Sequence, residues 1–325
     1  MNTIKWSRLA LAYSKCVLLK KRIPLIVGWA LTYRCNSNCL YCSLSKKGVK
    51  ELTTDEVFKI TDTLKKKGAL RISLTGGEPL IREDIGRIIE HMRSLGSVEI
   101  KLNTNGKLVK KKIDDLAGVN IINISLDGPE KIHDALRGAG SFNGALEGAE
   151  AAKRNDAEVL FTAVITDINA PYLEHVLKIA AHFDAKVFFQ PATSNVLGDK
   201  TVNKNAPRED ALDKAISQLL SLKKAGVDGI ANSRAGLLYL KPGEGKEIRC
   251  ASGHISLRIE PNGDVIYCSR EDFPFKALNI VRDGFDKAFS NLGDISCRRC
   301  LCGARVELNL AYNHNLSAIT NQFRG

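Results

Sequence analysis

Three cysteines share one short polar loop, in the stretch C-N-S-N-C-L-Y-C from Cys35 to Cys42. Thiols this close are disulfide partners or metal ligands. A disulfide would leave one thiol over, and disulfides are rare in intracellular chains. Structural zinc wants four ligands from Cys and His, and the nearest downstream histidine is His91. Three buried structural cysteines in a loop rich in Asn and Ser would be a coincidence. An iron–sulfur cubane takes cysteine thiolates and has four irons to ligate. Three protein ligands therefore leave one iron open, as catalytic zinc sites keep a position for water or substrate.

Five further cysteines lie towards the end of the chain: Cys250, Cys268, Cys297, Cys300 and Cys302. Cys250 and Cys268 form a C-x12-G-x4-C arrangement around Gly263, and the others make up C-R-R-C-L-C. A four-cysteine zinc ribbon and an iron–sulfur cluster both fit, because both metals accept the same thiolates. Cys16 stands alone and reads as a small core or interfacial residue.

The elements that position these ligands alternate between strand and helix. Strand patterns cover 25–31, 71–75, 98–104, 121–126, 159–165 and 186–190, with helical stretches between them. Thr53 followed by Glu56 reads as a capping box, and Gly68 and Gly96 read as helix stops. Alternation of this kind implies a parallel sheet with right-handed crossovers. Six units are too few for a closed eight-fold barrel, so the expected fold is α/β, a partial (βα)6 TIM-like barrel with its site at the carboxyl ends of the strands. A small C-terminal α+β domain follows, opened by a hairpin around the Pro-Asn-Gly turn at 261–263. The expected boundaries are a helix over 1–24, a core over 25–210, a linking helical segment over 211–248 and the cysteine-bearing domain over 249–325.

Composition sets the outer limits. The chain has 325 residues, 44% of them hydrophobic and 26% charged, which excludes a disordered or membrane-spanning protein. The net charge of +12 suits an anionic partner or a lysine-rich solvated surface; no nucleic-acid partner is expected. The first residues resemble a signal peptide only superficially, since Lys15 interrupts the apolar run and no small-residue cleavage site follows. Residues 1–22 instead suit a basic amphipathic helix that lies on a membrane surface or caps the core. With no apolar span, a cytoplasmic location follows, peripheral to the membrane if that helix engages lipid.

C-N-S-N-C-L-Y-C resembles the C-x3-C-x-aromatic-C signature of radical S-adenosylmethionine (SAM) enzymes. The resemblance implies a [4Fe–4S] cluster on Cys35, Cys39 and Cys42 whose open iron is chelated by the amino and carboxylate groups of SAM. One electron then cleaves the sulfonium to a 5′-deoxyadenosyl radical. Tyr41 would lie against the adenine. L-T-G-G-E-P at 74–79 is similar to the family's GGE motif, in which the backbone at Gly76 and Gly77 and the carboxylate of Glu78 receive the SAM ammonium. L-N-T-N-G at 102–106 resembles a segment lining the SAM pocket, with Asn103 and Asn105 reaching ribose or substrate, although Asn-Gly is also an ordinary turn. I-S-L-D-G-P-E-K-I-H-D-A-L-R-G at 124–138 resembles the subgroup with auxiliary clusters, where Ser125 and Arg137 engage the SAM carboxylate. Asp127, His133 and Asp134 fix that loop or merely cap it.

The resemblance covers residues 25–192 and resumes near 250. There the cysteine spacing is similar to SPASM or twitch domains, which implies one auxiliary [4Fe–4S] cluster on Cys250, Cys268, Cys297 and Cys300, with Cys302 a rival or spare. The implied activity is radical modification of a small-molecule, lipid or peptide substrate, with a flavodoxin- or ferredoxin-type reductant. A basic N-terminal helix also resembles hopanoid-adenosylating enzymes, and no N-terminal winged domain is visible, which counts against many peptide maturases. The end N-Q-F-R-G departs from the paired glycines of the molybdenum-cofactor enzyme. The other class that fits is a non-catalytic iron–sulfur or zinc protein that transfers electrons or binds partners.

Overall fold

The computed structural model describes residues 16, 21–244, 247–268, 275–297 and 300–322. Its frame is six parallel strands: β1 (Ile26–Thr32), β2 (Arg71–Gly76), β3 (Glu99–Thr104), β4 (Ile121–Ser125), β5 (Glu158–Ile165) and β6 (Lys186–Pro191). Each pairs with the next in parallel register. The helices that connect them are α1 (Thr54–Lys66), α2 (Ile85–Ser94), α3 (Glu130–Arg137), α4 (Ser141–Arg154) and α5 (Leu173–His182). This is the partial (βα)6 barrel expected from the alternation.

Side-chain alternation decides which face is core. Val27, Trp29, Leu31, Ile72, Leu74, Ile100 and Leu102 point outward and are essentially inaccessible under the helices. Burying each such side chain contributes roughly 1.5–3 kcal/mol. The intervening residues face the barrel interior and are mostly polar or small. The capping box at α1 is present, with Thr53 accepting from Glu56 N and the Glu56 carboxylate accepting from Thr53 N at 2.8 Å. Gly68 and Gly96 end their helices with φ of 95° and 58°. The segment between β3 and β4 differs from its neighbours: it is a 3-10 turn over Lys110–Leu116, kinked at Lys112, and its sequence carries no strong helical period.

Beyond β6 come α6 (Glu209–Lys224), α7 (Arg234–Leu240), β7 (Ile248–Arg249), β8 (Ser256–Ile259), β9 (Asp264–Ile266), β10 (Leu278–Asn279), α8 (Phe285–Ser290), β11 (Ser296–Cys297), α9 (Gly303–Tyr312) and α10 (Leu316–Gln322). The hairpin β8–β9 forms as its turn predicts. However, β8 also pairs in parallel with β1, so among the described residues one sheet runs β10-β9-β8-β1-β2-β3-β4-β5-β6. The cysteine-bearing region thus continues the edge of the core's own sheet.

Cys16 is buried with Leu25, Ala251 and Ile255, which suits its reading as a core residue. Arg22 binds the carbonyls of Gly253, Phe289, Ser290 and Leu292. The remaining residues of the expected N-terminal helix up to residue 20 lie outside the described residues. Among the described residues no helix is long and apolar enough to cross a membrane.

Candidate active site

Cys35, Cys39 and Cys42 lie on the loop that leaves the carboxyl end of β1, where the sequence places them. The first turn of that loop is held by the segment after β2. Gly77 N donates to Thr32 O at 2.8 Å and Glu78 N to Arg34 O at 2.9 Å. A Cβ at Gly76 would stand 2.0 Å from Thr32 O, and one at Gly77 would stand 2.3 Å from Arg34 O. The close approach that these glycines permit is therefore made by the chain's own cysteine loop.

Glu78 is fully buried, and its carboxylate accepts from Leu80 N, Thr104 Oγ1 and Asn105 N at 2.8–3.1 Å. It thereby ties the ends of β2 and β3 together. It is absent from the cavity wall, where Gly76 and Gly77 stand. Burial pushes this carboxyl up to about 7 despite those donors. Asn105 carries the tie one step further, because its Nδ2 donates to Asn36 Oδ1 at 2.7 Å within the cysteine loop. Asn103 is held in a ladder across the barrel wall: it donates to Leu74 O, accepts from Asn123 Nδ2, and Asn123 accepts from Thr162 Oγ1. Asn103, Asn105 and Ser125 all line the cavity.

The loop after β4 supplies a second support. Asp127 is completely buried and accepts from Tyr41 Oη (2.6 Å), Arg137 Nε (2.5 Å) and Val164 N (2.8 Å). Three elements distant in sequence meet on this carboxylate, and Arg137 holds it below the usual carboxylate range against the opposing effect of burial. The Arg137 guanidinium stacks over the Tyr41 ring at 5.5 Å, and its Nη1 lies 3.9 Å from Cys39 Sγ. His133 Nδ1 accepts from Asp127 N, and Asp134 accepts from Gly140 N and Phe142 N. His133 thus braces the loop after β4, and Asp134 the turn into α4. The hub role of Asp127 leaves no mark in sequence spacing, because its partners lie 86, 10 and 37 residues away.

Desolvation raises all three thiols of the loop, Cys42 to about 11. Such a thiol becomes a thiolate only against a compensating positive charge, which an iron–sulfur cluster supplies. Arg137 adds positive potential at Cys39. Among the described residues no three His, Cys, Asp or Glu side chains converge on a single metal ion. Three thiols on one loop, all lining one cavity wall, are the soft donor type that an iron–sulfur cluster takes.

The cysteines open onto a cavity of about 580 Å³ inside the barrel, which runs down to Ile26, Arg71, Lys101 and Lys186 at the amino-terminal half of the strands. The start of α9 closes the open side of the barrel with Cys302, Arg305 and Glu307. Of the second cysteine group, Cys250 is buried and Cys268 and Cys300 are half-buried, whereas Cys302 is exposed to the cavity. Backbone pairing sets Cys297 beside Ile248, and Cys250 N donates to Ile295 O. Ser252 Oγ reaches Tyr267 O at 2.6 Å, which brings the start of the hairpin beside Cys268. Among the described residues, backbone contacts thus bring the segments of Cys250, Cys268 and Cys297 next to one another, while Cys300 N donates to Tyr239 Oη at 3.5 Å.

The site is thus a partial barrel with a three-cysteine loop at the mouth of its cavity. Residues 29–180 match the Radical SAM superfamily. The mycofactocin maturase MftC of Mycobacterium tuberculosis is 27% identical over 278 residues, spanning 82% of this chain and 71% of the relative. The AdoMet-dependent heme synthase of Methanosarcina barkeri is 32% identical over 189 residues, spanning 55% of this chain and 53% of the relative. In fold, the chain is similar to Streptococcus suis SuiB bound to S-adenosylmethionine (TM-score 0.65, 17% identity, 85% of this chain and 68% of that one). It is similar also to anSMEcpe with bound AdoMet (TM-score 0.65, 20% identity, 82% and 80%). The protein is an enzyme, similar over its barrel to radical SAM proteins.

Proposed function

We propose that Cys35, Cys39 and Cys42 hold a [4Fe–4S] cluster with one iron left for SAM, and that the protein cleaves SAM reductively to modify a peptide. The observation that carries this reading is the shared wall: the three thiols face the same cavity as Gly76, Gly77, Ser125 and Arg137. With the cluster and SAM bound, the group supplies a 5′-deoxyadenosyl radical that takes a hydrogen atom from the substrate. The chain's own residues then have defined tasks. Gly76, Gly77 and Glu78 fix the cysteine loop, and Tyr41 and Arg137 are locked by Asp127 at the edge where SAM would lie. Arg137 Nη1, which faces Cys39, remains available towards a SAM carboxylate.

The peptide class is supported by the relatives. One is named a mycofactocin maturase, SuiB was solved bound to the precursor peptide SuiA, and anSMEcpe was solved with the Cp18Cys peptide. An auxiliary [4Fe–4S] cluster on Cys250, Cys268, Cys297 and Cys300 would accept an electron from the modified substrate, and a flavodoxin- or ferredoxin-type protein would supply the first one.

Anaerobic reconstitution should give about eight irons per chain, and dithionite with SAM should release 5′-deoxyadenosine. Changing Cys35, Cys39 and Cys42 together to Ala should abolish that product. An unchanged yield would overturn the enzymatic reading and leave electron transfer or partner binding.

A further inference from the structure

Deep in the cavity, three cations stand around an open floor. The parallel registers align Arg258 of β8 with Gly28, Gly28 with Ser73, and Ser73 with Lys101. Arg258 and Lys101 therefore occupy one level of the barrel wall, with only a glycine and a serine between them. Arg305 enters at the same region from α9, where Nη1 donates to the hydroxyls of Ser252 and Ser256. All three line the cavity.

Their pairing is incomplete. Among the described residues Lys101 has no hydrogen-bond or ion-pair partner, and Arg305 binds only neutral hydroxyls. Arg258 uses Nε on Glu260, which leaves its terminal nitrogens without an acceptor among the described residues. Two of the acids near this level are already engaged. Glu99 pairs with Arg71, and Glu307 accepts from Ser233 N. Glu158 stands at the first position of β5 and acts on Lys101 only through space. All three are half-buried in the cavity wall, and partly desolvated cations without anionic partners are costly, so such a level is stabilised when something anionic joins it.

Gly28 gives a second, independent sign. A Cβ there would meet nothing closer than Leu257 O at 3.9 Å. Unlike Gly76 and Gly77, this glycine is not required by the packing of its own chain. Its lack of a side chain leaves space between the cations.

We propose that Lys101, Arg258 and Arg305 form an anion-binding subsite over Gly28 and Ser73, which anchors a carboxylate or phosphate of the substrate. This rests on the reading of the cavity as the substrate chamber. Lys101 is four residues from Asn105 along β3, so the anchor sits about 13 Å below the SAM end of the wall. A substrate held there presents a carbon roughly that far from its anionic group to the radical.

The test is calorimetry on the anaerobically reconstituted full chain without SAM, at low ionic strength, with inorganic phosphate and glutarate as probes. Saturable binding of either is expected, and the tighter probe tells phosphate from carboxylate chemistry. Lys101→Met and Gly28→Leu should each weaken it at least about tenfold, the scale of one lost charged hydrogen bond, and Lys101→Arg should restore most of it. Gly28→Leu fills the floor without changing charge or backbone strain, so it decides the matter if Lys101→Met fails to fold. No saturable binding to the wild-type protein, or unchanged affinity in Gly28→Leu, overturns the proposal. So does a loss of iron in Arg258→Met with anion affinity intact, which would assign that arginine to the auxiliary cluster. Because no SAM is present, the outcome is independent of the 5′-deoxyadenosine assay.

Discussion

Tyr41 Oη donates to Asp127 Oδ2 at 2.6 Å, and the same oxygen accepts from Arg137 Nε at 2.5 Å. The residue before the third cysteine is thus locked to the loop after β4 through one buried carboxylate. The side-chain exposures of 8% for Arg137 and 0% for Asp127 place this ion pair in a medium where losing one partner strands the other charge.

Asp127→Asn should therefore cost roughly 3–5 kcal/mol, whereas Tyr41→Phe removes one hydrogen bond and should cost about 1 kcal/mol. Urea denaturation of both variants against the wild type checks the ratio. Equal costs would show that the Tyr41 hydroxyl, rather than the Arg137 charge, dominates the hub.

The glycines after β2 are placed by contact with the cysteine loop. Gly77→Ala puts a methyl 2.3 Å from Arg34 O and 2.4 Å from Tyr33 O, a distance backbone cannot accommodate. The loop must shift, and iron content after reconstitution should fall from about eight to about four per chain, with the auxiliary cluster intact. Retention of all the iron would mean that the loop tolerates the shift.

Two buried groups act oppositely on stability as pH changes. His133 falls to about 4, chiefly by burial. Its neutral form is therefore the folded one, and stability is lost as pH falls from about 6.5 towards 4. Glu78 rises to about 7 by burial, so its contribution runs the other way and stability declines as pH rises from about 4.5 to 7. Between pH 5 and 7 the two partly cancel. His133→Gln should remove one side: the stability difference between wild type and variant should be about 2 kcal/mol larger at pH 7 than at pH 5. A difference independent of pH in urea titrations would refute a neutral His133.

The last prediction concerns the C-terminal cysteines. Cys302 faces the barrel cavity, while Cys250 is buried just after β7 and Cys300 is half-buried with its N–H on Tyr239 Oη. Cys302→Ala should keep about eight irons per chain, and Cys268→Ala or Cys300→Ala should leave about four. Iron analysis with absorption spectra of the three variants distinguishes them. A loss with Cys302→Ala alone would exchange its role with that of Cys300.

The sequence by itself determined the elements and the chemistry. Periods of two and 3.6 residues, the capping box at Thr53 and Glu56 and the glycine stops are local signals, and they fix strands and helices through backbone sterics and side-chain alternation. The thiols of Cys35, Cys39 and Cys42 were legible because ligand type and spacing lie within one loop. Tertiary structure decided what those signals meet. The pairing of β8 with β1 joins residues 230 apart in Ile26 and Ser256, and no local pattern encodes which edge a strand selects. Asp127 gathers Tyr41, Arg137 and Val164 only once the four crossovers from β1 to β5 have closed. Lys101, Arg258 and Arg305 look like ordinary surface charges in a basic chain. They become an inward cluster because strand register turns alternate residues into the barrel, a consequence of pairing across strands that the linear order does not contain.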